Sequence, residues 1–419
     1  MSWAGRDSFR ALRHRNFRLF IFGQGISLVG TWMTRLATSW LVYRLTDSTF
    51  LLGVVSFASQ IPTFIIGPFA GVWLDRWKRR EVLIVAAILA AVQSLALAGL
   101  TLAHRITITE ILFLGIMQGL INAFDVPARQ SFHIQLVGGK TDLGNAIALN
   151  SAVVNGARLL GPALAGITIA AVGEGYCFLI DGLSYLAVIA SLLAITVDSA
   201  AVGKAGRGLL VQLREGWSYV STFGPIRTVM ILFVIISFAS VPYTVLMPVF
   251  ATKILHGGPH TLGFLSGSAG VGAVAAALGL AARKSAKNFY RVIATGSAVM
   301  GIGLVAFSFS TNLWLSLFLM ALTGFGMMQE FAASSTVIQM LVEDDKRGRV
   351  MSYWTMAYMG ASPFGSLVAG SLAPVIGAPG TVILCGSGAL AGALWFWLKI
   401  PRLGTIPGPA GFADVGTKV

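Results

Sequence analysis

Six ionisable residues lie inside long apolar stretches of this sequence and are its first candidates for chemistry: Arg35, Asp125, Arg129, Arg158, Asp181 and Glu330. A charge is costly in an apolar environment, so such residues are kept where they pair, bind a ligand or move a proton. Glu330 has no acidic neighbour and no cation one helical turn away. We therefore predict Glu330 as the leading site of proton uptake. The alternative is a hydrogen-bonded carboxyl that never changes state.

Two further carboxyls are candidates for proton coupling. Asp125 and Arg129 are four residues apart, a spacing that places both on one face of a helix. They either neutralise each other, or Asp125 takes part in proton transfer. Asp181 is near the outer end of its apolar stretch, so it is either a proton site or a residue of the headgroup region.

The two arginines and several polar residues are candidates for lining a substrate cavity. Arg35 and Arg158 could hold an anionic substrate group or pair with Glu330. An aromatic residue in a membrane helix more often packs against lipid or core, which is the alternative for Trp32. The other candidates in the same stretches are Gln24, Thr31, Gln60, Asn122, Asn155 and Gln329.

The elements that carry these residues are long and apolar. Of the 419 residues, 56% are hydrophobic and 11% charged, and the mean hydropathy is +0.79. A soluble domain could not cover so much apolar side chain, whereas lipid can solvate it. About 20 apolar residues cross the hydrocarbon layer as a helix. Twelve such runs are predicted, at about 17–43, 50–74, 82–103, 108–135, 143–171, 175–197, 226–252, 262–282, 289–310, 313–341, 347–376 and 380–400.

The distribution of basic residues predicts the orientation of the chain. If the N-terminus is cytoplasmic, only Arg44, Arg105 and Lys253 of the 30 Lys and Arg residues fall in outer connections. Three others lie inside spans, and the remaining 24 are in cytoplasmic segments or at the inner ends of spans. This bias follows the positive-inside rule and predicts both termini in the cytoplasm, in the inner (cytoplasmic) membrane. It explains the net charge of +14 without a nucleic-acid partner.

The chain divides around one long polar interruption. Residues 203–220 place apolar side chains at helical spacing beside arginines, which predicts an amphipathic helix on the cytoplasmic surface. The predicted organisation is a cytoplasmic N-terminal segment (1–16), a six-helix bundle (17–198), a linker (199–224), a second six-helix bundle (225–400) and a cytoplasmic tail (401–419).

The two halves show an internal repeat. A shift of 204 positions aligns residues 131–166 with 335–370, and nine of the 36 positions are identical, Gly161/Gly365 and Gly166/Gly370 among them. Two six-span repeats in the same orientation are typical of the major facilitator fold, with a substrate site between the halves. The predicted fold class is therefore an all-α membrane protein with twelve transmembrane helices in two pseudo-symmetric six-helix bundles.

A loop motif after the second span carries a family resemblance. The segment 67–80 resembles the major facilitator loop signature, which Gly71, Asp75, Arg76, Arg79 and Arg80 match, whereas Lys78 replaces its second glycine. The alternative is a plain positive-inside anchor. The resemblance implies a cytoplasmic latch of Asp75, Arg79 and Asp125, with Arg129 beside it. The second half has no acid equivalent to Asp75, so the latch should be asymmetric.

Further motifs resemble one branch of that superfamily, which contains the enterobactin exporter and related drug/proton antiporters. They lie at residues 9–18, 30–34, 124–130, 145–151, 157–166 and 347–352. Gly161, Pro162 and Gly166 resemble the helix 5 motif of antiporters, although Ala152 stands where the fuller pattern has glycine. The alternative is an ordinary packing seam. The resemblance implies alternating access and proton-driven export.

These observations predict a secondary transporter, namely a proton-coupled exporter of hydrophobic or amphipathic small molecules such as siderophores or drugs. The alternatives are an importer or lipid translocator on the same fold and, from another class, a non-transporting receptor. Motifs of hydrolases, P-loop proteins and metal sites are absent from the sequence, so we predict no enzyme, no cofactor and no metal. The expected partners are a small-molecule substrate, protons and membrane lipids, and the protein is expected to be monomeric.

Overall fold

The structure, a computed structural model, describes residues 10–74, 77–137, 142–196, 209–283, 288–343 and 346–403. Within these ranges the regular structure is α-helix with short 3-10 and π-helical turns, and no strand occurs. The all-helical class predicted from the long apolar runs is thereby confirmed. In lipid every backbone polar group must find a partner within the protein, and a helix provides these partners within a single segment.

In the described residues before the linker there are six α-helices, and their bounds follow the first six predicted spans within three residues. A capping box starts the fourth helix, where the Thr107 N–H donates to the Glu110 side chain at 2.6 Å. The helices are α1 (Arg15–Thr46), α2 (Thr49–Leu74), α3 (Arg79–Leu102), α4 (Ile108–Leu136), α5 (Leu143–Val172) and α6 (Glu174–Ala194).

Seven α-helices follow in the part of the chain that the structure describes from residue 209 onward. The linker helix is described from residue 209 onward, and the start of its predicted range, 203–208, lies outside the described residues. The helices are α7 (Leu209–Thr222), α8 (Gly224–Ala239), α9 (Tyr243–Val249, continued by a π-helical turn at Phe250–Ile254), α10 (Pro259–Ala281), α11 (Phe289–Ser308), α12 (Leu313–Leu341) and α13 (Arg347–Lys399).

Three predicted spans differ from the structure in their continuity. The span predicted at 226–252 is interrupted between Ala239 and Tyr243, where Pro242 has no N–H to continue the helical hydrogen bonds. The spans predicted at 347–376 and 380–400 both belong to α13. They are separated by Gly377, whose φ of 78° and ψ of 158° leave the helical region. Glycine adopts this conformation without the steric penalty of a Cβ.

Ten segments of the described chain are long and apolar enough to cross a membrane. The protein is therefore an integral, multi-pass membrane protein. α1 is not one of the ten, because polar residues such as Gln24, Thr31 and Arg35 lower its hydropathy. Both predicted spans of α13 fall in a single segment, Arg347–Arg402.

The contacts divide the chain into two units. The first is Met1–Gly206 with Pro248–Gly267, and the second is Arg207–Met247 with Ser268–Val419. This partition differs from the predicted halves because Pro248–Gly267 packs with the first unit. Lys253 pairs with Asp47 at 2.7 Å, and a Cβ on Gly263 would lie 2.7 Å from the Pro162 carbonyl oxygen.

In the first unit α1 packs against α5 and α6, α3 packs against α6, and α2 packs against α4. In the second unit α11 packs against α12 and α13, and α8 packs against α13. The linker helix α7 lies on the start of α13, where the Trp217 and Tyr353 rings are 6.0 Å apart and the Lys346 Nζ lies 4.9 Å from the Tyr219 ring centroid.

Candidate functional site

Asp181 is enclosed between three helices of the first unit. It lies seven residues into α6, about 10 Å along the axis, and is 2% exposed. Ser94 on α3 donates to its Oδ2 at 2.8 Å, and Thr34 on α1 donates to the same oxygen at 2.9 Å. The Thr31 hydroxyl is 3.4 Å from Oδ1. The carboxyl thus accepts from hydroxyl groups of two helices instead of facing the membrane surface.

Tyr185 continues this set of polar side chains toward α4. It lies one turn after Asp181 on α6, is buried, and has its hydroxyl 3.4 Å from the Thr31 hydroxyl. Asp125 and Arg129 act electrostatically on the Tyr185 hydroxyl. They form an ion pair in which the Arg129 Nη2 and Nε lie 2.6 and 3.0 Å from the Asp125 Oδ2. In this structure Asp125 is thus neutralised by the arginine one turn away.

Two arginines of the first unit lie against one tryptophan. The Arg35 guanidinium carbon is 4.8 Å from the Trp32 ring centroid, and the Arg158 guanidinium carbon is 5.7 Å from it. Arg35 also attracts the Asp181 carboxyl electrostatically. Five of the predicted site residues are therefore brought together around α1, namely Thr31, Trp32, Arg35, Arg158 and Asp181.

Small residues allow these helices to approach. A Cβ on Gly30 would lie 2.8 Å from the Asp181 Oδ1, and a Cβ on Gly161 would lie 2.5 Å from the Trp32 Cβ. A Cβ on Gly166 would lie 2.8 Å from the Pro259 carbonyl oxygen at the start of α10. Gly161, Pro162 and Gly166 are thus contact residues of α5, which is the packing role that small residues have in membrane helices.

Glu330 is the buried carboxyl of the second unit. It lies on α12, is 1% exposed, and accepts a hydrogen bond from Ser334 on the same helix at 3.1 Å. α11 passes close to it, since a Cβ on Gly296 would lie 2.9 Å from the Glu330 amide nitrogen and 3.0 Å from the Gln329 Cβ. No ion pair of Glu330 occurs among the described residues.

An aromatic cluster adjoins Glu330 along the chain: Phe233, Phe331, Trp354 and Tyr358. Phe331 follows Glu330 in the sequence, and its ring is 4.5 Å from that of Trp354 and 5.9 Å from that of Tyr358. The Phe233 and Trp354 rings stack at 4.8 Å. The Trp354 indole N–H has no hydrogen-bond partner within the described part of the chain.

The loop motif after α2 is described only in part. Asp75 and Arg76 lie outside the described residues, as do the surroundings of Gly71, so the predicted latch of Asp75, Arg79 and Asp125 remains a prediction. Arg80 donates to the Leu192 and Leu193 carbonyl oxygens at 2.7 and 2.9 Å. These acceptors lie at the C-terminus of α6, where a cation is favourable.

Most of the other predicted cavity residues bond within their own helix. Gln60 donates to the Ser56 carbonyl oxygen at 3.1 Å, Asn122 accepts from Gln118 at 3.1 Å, and Asn155 donates to the Ser151 carbonyl oxygen at 2.8 Å. Gln24 is buried, and its Oε1 has no hydrogen-bond partner within the described ranges. These four residues are not joined to the group around Asp181.

Three contributors to the site were not predicted from the sequence: Thr34, Ser94 and Tyr185. Single hydroxyls are common in membrane helices and carry little signal by themselves. The spacing of Thr31 and Thr34, three residues apart on one helix face, is the one pattern that could have indicated them.

A multi-pass helical membrane protein with carboxyl and guanidinium groups among its helices is typical of the class of membrane transport proteins. The chain belongs to the transmembrane secretion effector family of the major facilitator superfamily, whose family model matches residues 6–406. It is therefore a secondary transporter of small molecules and not an enzyme, as predicted. The resemblance on which the sequence motifs depended is confirmed.

Several characterised relatives cover nearly the whole chain. The staphyloferrin A transporter of Staphylococcus aureus is 22% identical, over 91% of this chain and 95% of the relative. The multidrug efflux pump Tap of Mycolicibacterium fortuitum is 25% identical, over 87% and 91%. The macrolide efflux protein A of Streptococcus pyogenes is 20% identical, over 89% and 95%.

Solved structures share the fold. A bacterial homologue of the lysosomal transporter Spinster, inward-facing and occupied, matches with a TM-score of 0.73 at 12% identity, over 95% of this chain and 99% of that one. A D-xylose–proton symporter matches with a TM-score of 0.70 at 15% identity, over 92% and 97%. At these identities the likeness bears on the fold alone.

Proposed function

We propose that this protein exports hydrophobic or amphipathic small molecules from the cytoplasm in exchange for protons, by alternating access. The names of three relatives support export or siderophore transport: a multidrug efflux pump, a macrolide efflux protein and a staphyloferrin A transporter. Substrates of the same kind, namely drug-like or siderophore compounds, are the ones to test first. We expect the protein to work as a monomer surrounded by lipid.

The proposed topology has twelve spans in two pseudo-symmetric bundles of six, residues 17–198 and 225–400. α1 is 32 residues long, which is enough to cross the membrane despite its lower hydropathy. Gly377 separates α13 into two segments, each longer than 20 residues. With α8 and α9 forming one span, these additions bring the total to twelve. The excess of basic residues in the inner segments supports cytoplasmic termini in the inner membrane.

The burial of Glu330 is the single observation that carries proton coupling. An ionised carboxylate away from water is costly unless cations or several donors compensate it. Glu330 is 1% exposed and accepts from one hydroxyl, that of Ser334. We infer that Glu330 is protonated in this conformation. When the transport cycle exposes Glu330 to water, the carboxyl would release its proton. The substrate would then be released when the protein opens to the opposite side of the membrane.

Asp181 is the second candidate for proton coupling. It is as buried as Glu330, but it accepts from Ser94 and Thr34 and lies near Arg35, so its environment can support a negative charge. Asp125 is the third candidate, and its ion pair with Arg129 makes it the least exchangeable of the three in this conformation. Substitution of each carboxyl in turn separates these roles.

Transport in proteoliposomes with an imposed proton gradient tests the proposal. We expect gradient-driven accumulation of ethidium, erythromycin or staphyloferrin A by the wild-type chain. In Glu330→Gln this accumulation should fall to the level of protein-free liposomes, whereas exchange of labelled for unlabelled substrate without a gradient should persist. Exchange does not require net proton release, so it reports an intact substrate site.

Glu343→Gln is the matched control. Glu343 is exposed and pairs with Lys346 at 2.6 Å just beyond α12, so its loss should leave gradient-driven transport unchanged. Proton-driven transport by Glu330→Gln at the wild-type rate would exclude Glu330 as the coupling site. Absence of transport under any gradient would contradict the function itself. The gradient direction that drives accumulation separates an exporter from an importer.

A further inference from the structure

The group of Trp32, Arg35 and Arg158 has the composition of a ligand site. Two guanidinium groups from different helices lie 4.8 and 5.7 Å from the centroid of a single indole ring. Cations stack favourably on the face of tryptophan. Stacking restricts the flexible arginine side chains, so less entropy is lost when a ligand binds them.

The packing of α1 on α5 builds this geometry. A Cβ on Gly161 would lie 2.5 Å from the Trp32 Cβ and 3.0 Å from the Val29 carbonyl oxygen, so only glycine admits the tryptophan there. Arg158 precedes Gly161 by about one helical turn and therefore reaches the same ring. The site depends on a close helix crossing and is not a chance approach of two surface side chains.

Arg35 is exposed although it lies well inside α1. It is nine residues, about 13 Å, from the level of Arg44, which pairs with Glu174 at the outer end of α6. A guanidinium facing hydrocarbon at this depth would be strongly unfavourable, so exposed arginines inside membrane helices face water-filled cavities. Arg35 is thus placed where a dissolved substrate can reach it.

The chemistry of the two arginines favours an anionic ligand. Arg35 attracts the nearby Asp181 carboxyl, whose oxygens already accept from Ser94 and Thr34. Guanidinium groups bind planar oxyanions with two parallel hydrogen bonds, and carboxylates match this geometry.

We propose that Trp32, Arg35 and Arg158 form an anion subsite that binds a carboxylate group of the transported substrate. This inference rests on the proposed transport function, since it assigns a chemical class to what is transported. Amphipathic organic acids are then among the substrates. The apolar part of such a substrate would extend along the cavity away from the arginines.

Equilibrium binding of a matched pair of probes tests the subsite. Dansylglycine carries one carboxylate, and dansylglycinamide has the same shape without the charge. The full chain in phosphatidylcholine nanodiscs should bind dansylglycine about tenfold more tightly than dansylglycinamide, which is the preference expected for hydrogen bonds to a charged group. Arg158→Gln and, separately, Arg35→Gln should reduce the preference to near parity with little change in dansylglycinamide affinity.

Two further variants sharpen the comparison. Arg158→Lys keeps the charge and loses the planar fork, so part of the preference should remain. Arg291→Gln removes an exposed arginine at the start of α11 and should leave the preference unchanged. Melting temperatures identify any variant that does not fold, and the other arginine variant then carries the test.

Several outcomes would overturn the proposal. They are no dansylglycine binding by the wild-type chain, equal affinities for the two probes, and an undiminished preference in the double variant Arg35→Gln/Arg158→Gln. Addition of phosphatidylglycerol to the nanodiscs must not abolish dansylglycine binding, because that result would assign the site to a lipid headgroup. The assay uses no proton gradient, so failure of proton coupling would leave its result unaffected.

Discussion

The two most buried carboxyl groups differ in what surrounds them. Asp181 has three hydroxyl groups within 3.4 Å and an arginine nearby, whereas Glu330 accepts from one serine. Donors from several helices allow a carboxylate to remain charged in a low dielectric, and a single hydroxyl does so poorly. The surroundings of Asp181 therefore suit a charge that is structural or that takes part in a conformational change. The surroundings of Glu330 suit a carboxyl that stays neutral until water reaches it.

Replacing Asp181 tests the hydroxyl network. Asp181→Leu would leave the Ser94 and Thr34 hydroxyls without their acceptor, and we expect the free energy of unfolding to fall by about 2 kcal/mol. Asp181→Asn keeps an acceptor oxygen and should cost less than about 1 kcal/mol. Equilibrium unfolding in mixed micelles measures both values. Equal losses for the two variants would show that the network contributes little to stability.

At the scale of elements, the repeat in the sequence corresponds to a repeated contact. Gly161 allows α5 to touch α1, and its repeat equivalent Gly365 allows α13 to touch α8, where a Cβ would lie 2.0 Å from the Phe238 carbonyl oxygen. Both glycines meet backbone or Cβ atoms that cannot move aside. The identity of the two positions therefore has a physical cause, since each glycine permits the same kind of close helix crossing.

Gly161 and Gly156 lie on the same helix and give a matched pair of substitutions. Gly161→Ala places a methyl group against Trp32 and should lower the free energy of unfolding by about 1–3 kcal/mol, the usual cost of overpacking. The shift of Trp32 should also weaken dansylglycine binding. Gly156→Ala lies on the same helix with no atom within 4 Å of the added Cβ and should be neutral or slightly stabilising. Unfolding and probe binding are measured on both variants, and equal effects would contradict the steric argument.

At the scale of the whole molecule, ion pairs join the ends of three helices. Arg44 on α1 pairs with Glu174 on α6, and Lys253 at the end of α9 pairs with Asp47 at the end of α1. Lys253 lies 5.8 Å from the Tyr43 ring centroid as well. In the proposed alternating-access cycle the ends of α1 and α9 are expected to separate, so the Asp47–Lys253 pair should break once in each cycle.

The Asp47–Lys253 pair gives a prediction on conformation. In a background with Cys177 and Cys385 replaced by alanine, spin labels at Leu45 and His256 report the separation of the two helix ends. Asp47→Asn should move the population toward longer distances. A high salt concentration should act in the same direction, because both partners are more than half exposed and screened by ions. Unchanged distances in Asp47→Asn would exclude the pair as a closing contact.

The pH dependence of this contact follows from Asp47. The hydrogen bond from Lys253 lowers the pKa of the Asp47 carboxyl from its ordinary value of 3.8. A group with a lowered pKa contributes its stabilisation above the ordinary value and loses it only as the pH falls through the lowered one. The label distance should therefore be constant between about pH 5 and pH 8. A change within this range would point to another titrating group.

The sequence by itself determined that lipid solvates the chain, that the fold is helical, and where most of the helices begin and end. Each of these depends on local properties: about 20 consecutive apolar residues span the hydrocarbon, and basic residues accumulate on the inner side. The charged residues inside the helices were also visible in the sequence, because a charge in an apolar run is conspicuous wherever it occurs. The family resemblance likewise followed from short motifs that lie within single helices and loops.

Only the tertiary structure decided which side chains meet. Ser94, Thr34 and Asp181 come from three helices, and whether they converge depends on how each helix is rotated and how closely it packs. Arg158 reaches Trp32 because Gly161 lies opposite that ring, a relation between residues more than 120 positions apart. Helix rotation is fixed by the sum of many packing contacts, so no single stretch of sequence contains it.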